Sequence, residues 1–133
     1  DITDKGIDAL VRSSIVTGLK SLNLERNSIS DKGVKLIAQS PNFSHLIALN
    51  FWKNKIGAEG AKAIADSLML VNLERLDLAQ NKIGDEGGKA LAESQTLTAL
   101  KYVDLFGNGI GEEVQAAIKE SSSFKTLQHL VLE

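Results

Sequence analysis

Leucine recurs at Leu19, Leu46, Leu73, Leu100 and Leu127, a spacing of 27 residues held without slippage. Self-similarity at a fixed period of this length restricts the fold to a stack of like supersecondary units. Each unit is too small to cover its own apolar side and relies on its neighbours. Laid over one another, the units read Leu-x-x-Leu-x-Leu-x-x-Asn-x-Ile and continue into a helical stretch. Such a scaffold can be derived from its pattern, whereas what it binds is set by the residues on its surface.

The first half of each unit predicts a strand. In the segments 19–27, 46–54, 73–81 and 100–108, apolar residues stand at the first, fourth and sixth places. The last two alternate, as in Leu22 and Leu24, Leu49 and Phe51, Leu76 and Leu78, and Val103 and Leu105. That is the period of a strand with one buried face. The second half opens at Ser30, Gly57, Gly84 and Gly111, which suit an N-cap, and places Asp31, Glu59, Glu86 and Glu113 in a first turn, where acids favour the helix dipole. Apolar residues then recur at helical spacing, for example Val34, Ile37 and Ala38. A column of Ala63, Ala90 and Ala117 predicts close approach of neighbouring helices.

The frame divides the chain, as a single domain over 1–133, into a partial unit 1–18, full units 19–45, 46–72, 73–99 and 100–126, and a partial unit 127–133. Ile2, Asp4, Gly6 and Leu10 match Ile29, Asp31, Gly33 and Ile37, so the chain opens in the helix half of a unit. Neither end shows the atypical polar unit that caps repeat arrays. The expectation is a fragment or minimal array; the sharper alternative is that an end is covered by another domain or by another copy, through self-association at uncapped ends such as the apolar strand 127–132.

Composition narrows the partners. At 133 residues and 43% hydrophobic, the chain can bury a core, and it has no run of about eighteen apolar residues that would suggest a membrane span. A formal net charge of -2 gives no general attraction to nucleic acid or anionic lipid, so neither is an expected partner. Without cysteine there is no disulfide framework and no thiolate chemistry.

Several columns look chemical and read better as structural. Asn27, Asn54, Asn81 and Asn108 form a ladder whose amides should pair with backbone where the strand turns away. Ser13, Ser40, Ser67, Ser94 and Ser121 lie where a hydroxyl can satisfy free groups at a helix end. Phe43, Leu70, Leu97 and Phe124, with Val16, should plug the core beneath the return loops. Paired glycines such as Gly57 and Gly60 lack the Lys-Ser or Lys-Thr of a phosphate loop and read as turn glycines. His45 and His129 have no neighbouring ligand at metal spacing. Asp77 and Asp104 fall in one column on adjacent strands, where like charges should raise the pKa of one. With no third acid evident, no metal site is expected. No cofactor and no catalytic constellation are expected either.

What remains variable is the outward side of the strands and the turns after them. Trp52, Tyr102 and Phe106 fall there, although exposing them gains nothing for the fold. Trp52 and Phe106 would stand about 10 Å apart across Ala79 and frame a shallow apolar hollow. Aromatic anchors ringed by Glu25, Arg26, Lys53, Arg75, Asp77 and Asp104 have the composition of an interface hot spot. These nine residues are the candidate partner-binding set.

The motif carried by Leu19, Leu22, Leu24, Asn27 and Ile29 and their copies, with Asn81-Lys-Ile-Gly-Asp-Glu-Gly87, resembles the leucine-rich repeat, and within it the ribonuclease-inhibitor-like class. The absence of cysteine departs from the inhibitor itself. The resemblance implies an α/β right-handed solenoid, or horseshoe, with a parallel sheet on the concave face and helices on the convex face. It also implies a non-catalytic protein-interaction module holding a protein partner on that concave face, as the sensing part of a larger receptor or of a bacterial effector. The expected location is the cytoplasm, or the host-cell cytosol for a secreted effector. The alternative is a regulator of a partner enzyme, like the GTPase activators that resemble this class, with Arg26 as the exposed guanidinium.

Overall fold

Strand and helix alternate along the chain in a computed structural model that describes residues 1–133: α1 (Asp4–Arg12), β1 (Ser21–Asn23), α2 (Asp31–Gln39), β2 (Ala48–Asn50), α3 (Ala58–Ala65), β3 (Arg75–Asp77), α4 (Gly84–Ala92), β4 (Tyr102–Asp104), α5 (Glu112–Glu120) and β5 (His129–Val131). A 3-10 turn, Pro41–Phe43, follows α2. The five strands form one parallel sheet in sequence order. Its register repeats the period of the sequence, with Leu22 opposite Leu49, Leu49 opposite Leu76, Leu76 opposite Val103 and Val103 opposite Leu130. The architecture is the solenoid of strand and helix that the sequence predicts. None of the helices is long and apolar enough to cross a membrane.

The core runs as one continuous cluster between sheet and helices. Leu49, Leu76 and Val103 enter it from the strands, Ile37, Ile64 and Leu91 from the helices, and Phe43, Leu70, Leu97 and Phe124 from the return loops. Those loop residues are 0–5% exposed, so the expected plugs are in place. The serine column works as expected as well. Ser67 Oγ donates to Ala38 O at 2.5 Å and accepts from Met69 and Leu70 N–H, and Ser94 Oγ repeats the pattern with Ala65 O, Thr96 and Leu97.

The asparagine ladder joins the units. Asn81 Nδ2 donates to Phe51 O and Leu78 O, each at 3.0 Å, while its Oδ1 accepts the Ile56 N–H at 2.9 Å. Asn54 and Asn108 make the equivalent bonds, and no buried side-chain polar atom lacks a partner. Each amide therefore closes the preceding unit as well as its own.

Three expectations need correction. Of the alanine column, Ala63 and Ala90 are half-buried and packed on the core, but Ala117 is exposed, and the column does not mark the tightest helix contact. A tight contact between α3 and α4 lies at Gly87, where an added Cβ would lie 3.1 Å from Ala61 Cβ and 3.2 Å from Ala58 Cα. Gly60, likewise, is not a turn glycine but lies buried within α3, against Asp31 of the preceding helix. Nor does α4 have Gly84 as its N-cap: the cap is Ile83, and Gly84 opens the helix with φ +65.

The first-turn acids also do more than the dipole requires. Asp4 Oδ1 accepts from Ser30 and Gly33 N–H, Asp31 Oδ1 from Gly57 N–H at 2.6 Å, and Asp85 Oδ1 from Gly111 N–H at 2.8 Å. A carboxylate of one unit thus caps the helix of the next, satisfying donors that the helix itself leaves open. Ala58 holds the matching place in the middle unit and cannot do so.

Candidate functional site

The sheet presents three rows of outward residues. The first runs Ser21, Ala48, Arg75, Tyr102 and His129, and the second Asn23, Asn50, Asp77, Asp104 and Val131. The third, one repeat apart at each step, is Glu25, Trp52, Ala79, Phe106 and Glu133.

The second row shapes the third. Asn23, Asn50, Asp77 and Asp104 each turn a side-chain oxygen back to the N–H two residues on, at 3.0, 2.8, 3.0 and 2.9 Å. These Asx turns end the regular strands after three residues. Backbone bonds nevertheless continue past them, from Arg26 N–H to Trp52 O, Lys53 N–H to Ala79 O and Gln80 N–H to Phe106 O. Arg26, Lys53 and Gln80 hold φ of 55–56°, and Gly107 of 70°, so one column turns through the left-handed region in every full unit.

Cations of one unit cover aromatic rings of the next. The Arg75 guanidinium lies 4.0 Å from the Tyr102 ring centroid, and that of Arg26 lies 5.8 Å from the Trp52 ring. His129 tilts against the other side of Tyr102, with centroids 6.0 Å apart. Tyr102 OH reaches Asp104 Oδ2 at 3.5 Å. Burial, then the negative Asp104 beside it, raises the Tyr102 phenol above its ordinary 10.0. Phe106 is 49% exposed and Ala79 only 5%.

Asp77 and Asp104 are register partners. Burial is the largest cause that raises Asp77 above 3.8. The Ala79 N–H opposes the rise, and the Asp104 charge adds to it. Neither carboxylate belongs to an ion pair; the three in the protein are Arg12–Asp8, Lys35–Glu59 and Lys101–Glu74. Glu25 is held by Asn50 Nδ2, which donates to its Oε2 at 2.9 Å.

The nine predicted residues therefore share one face but form subgroups. Arg26 joins Trp52, and Arg75 joins Tyr102, whose hydroxyl reaches Asp104. Asp77 faces Asp104, Glu25 is tied to Asn50, Lys53 is exposed in its turn, and Phe106 stands without a covering cation. A concavity of 210 Å³ opens in the first two rows, lined by residues that include Asn23, Asn50, Arg75 and Asp77. Larger hollows lie away from this face, at the entrances to the strands (680 Å³) and between α2 and α3 (450 Å³), both lined by mixed surface residues. Sequence reasoning missed His129 as a neighbour of Tyr102, although both occupy the first-row column one repeat apart.

A comparison with protein-family profiles matches the Leucine Rich repeat at residues 17–38, 44–65 and 70–92, together half of the chain. A comparison with curated proteins finds no match.

Proposed function

Because the chain belongs to the leucine-rich repeat family, whose domains generally serve in protein interaction, we propose that it is a non-catalytic module that holds a protein partner on the outward face of its sheet. The observation that carries this reading is the division of its aromatic residues. Phe43, Phe51 and Phe124 are buried in the core, whereas Trp52, Tyr102 and Phe106 stand on the sheet face among Arg26, Arg75 and Asp104. Aromatic rings and arginine are the residue types on which binding energy concentrates. In this reading the module is the sensing part of a receptor or of an effector that works in the cytosol.

The second reading, a regulator of a partner enzyme, uses Arg26 as an exposed guanidinium. Arg26 is exposed, with its guanidinium 5.8 Å from the Trp52 ring centroid.

The test compares capture from cell lysate by the native domain and by a Trp52→Ala, Phe106→Ala double variant, with equal folding checked by circular dichroism. Loss of two anchors should weaken a specific partner by about tenfold or more. Equal capture of that partner by both proteins overturns the assignment of this face.

A further inference from the structure

Two rings on the sheet face are covered by a guanidinium that the preceding unit supplies: Trp52 by Arg26 and Tyr102 by Arg75. Phe106 occupies the same column as Trp52, two units on. By that repeat relation, the residue that would cover it is Gln80, the counterpart of Arg26 in the unit before. Gln80 shares the left-handed conformation of Arg26, with φ 55 against 56, so the backbone there is the same and only the charge is missing. The Gln80 side chain runs past Gly107, where an added Cβ would lie 3.3 Å from its Cγ. Phe106 is left as the most exposed ring of the face, at 49%. Beside it stands Asp104, whose Oδ1 is bonded to the Phe106 N–H and which, like Asp77 on the next strand, has no ion-pair partner.

We propose that Phe106 and Asp104 form the place where a partner protein inserts an arginine side chain, completing from outside the cation cover that the chain supplies to Trp52 and Tyr102 from within. This rests on the sheet face being the partner-binding surface and specifies the chemistry it selects. The guanidinium stacks on the exposed ring, and its N–H groups reach Asp104 Oδ2, whose one side-chain contact is the long one from Tyr102 OH at 3.5 Å. The charge is complementary: this end of the face carries Asp77, Asp104 and Glu133, and its nearest arginine, Arg75, is already committed to Tyr102. A partner presenting an acidic segment would meet like charge there.

The test uses N-acetyl-arginine methylamide as probe, read by the aromatic proton and carbon resonances of Phe106, with N-acetyl-glutamate methylamide as control. Saturable shifts at Phe106 with the arginine probe, and not with the glutamate probe, are expected. Gln80→Arg should supply the missing cation internally and weaken the probe by about tenfold, while Gln80→Glu should not. Asp104→Asn should weaken it as well and keeps the turn, since Asn23 and Asn50 make the same bond. No shift at Phe106, an equal response to both probes, or full binding by Gln80→Arg overturns the proposal. Failure here, together with capture that still depends on Trp52 and Phe106, leaves the binding face standing and removes only its arginine preference. Capture that ignores both rings removes the face itself.

Discussion

Asp77 faces Asp104 across neighbouring strands and is raised above its ordinary carboxylate value, mainly by burial. A carboxyl raised in the folded state binds its proton more tightly there than in the unfolded chain. Its ionised form therefore costs stability, and that cost grows as pH rises from the unfolded value of 3.8 through the raised one. Asp77→Asn keeps the bond to Ala79 N–H, as Asn50 does for Trp52, and removes the like-charge pair. It should stabilise the protein by about 0.2–1 kcal/mol at neutral pH. The gain should vanish near pH 3, and urea melts at the two pH values check it. Asn81→Ala should act in the opposite direction and more strongly. It strands buried backbone groups at Phe51, Leu78 and Ile56 and should cost about 3 kcal/mol by the same melts. The asparagine ladder, the serine column and the adjacent carboxylates were all legible, because each follows from one residue type at one repeat position. The stacking of Arg75 on Tyr102 was not. It depends on which way two long side chains lean across a strand pair, and residue spacing carries no such direction.

At the level of the element, sequence periodicity located every strand and helix, yet overran the regular strands. Asn23, Asn50, Asp77 and Asp104 look like ordinary outward residues in a list, but their side chains accept the N–H two residues on and end the regular strands, although backbone bonds between units continue past them. The glycine contacts between helices were missed for a related reason. A column of alanines suggests closeness, but contact depends on which stripe faces the neighbour, and here the stripe is Gly33, Gly60 and Gly87. Gly87→Ala should therefore destabilise the α3–α4 contact by about 1–2 kcal/mol. Overpacking against buried Ile83 and Ala61 exceeds the helix propensity that alanine brings. Asp31→Ala removes the acceptor that caps α3 from the preceding helix and should cost about 1 kcal/mol, measured by thermal melting. The middle junction already does without such a cap, since Ala58 holds that place and packing around Gly87 joins α3 to α4.

Over the whole molecule, contacts link each unit mainly to its neighbours, so stability should be distributed as in a linear array. Amide hydrogen exchange should be slowest in β3 and α3, which are covered from both sides, and faster toward α1 and β5. Uniform protection along the chain would contradict that gradient. Function was less legible than fold at this scale, because the scaffold is written by repeated residues and the binding face by the ones that differ. The asparagine ladder carries a further consequence for synthesis. The Ile29 N–H is satisfied by Asn54, 25 residues later, and Ile56 and Ile83 depend in the same way on Asn81 and Asn108. A chain growing from its amino end thus leaves its newest unit unfinished until most of another has left the ribosome. Folding trails translation by one repeat, and the nascent end, not the completed array, is where a chaperone finds exposed backbone.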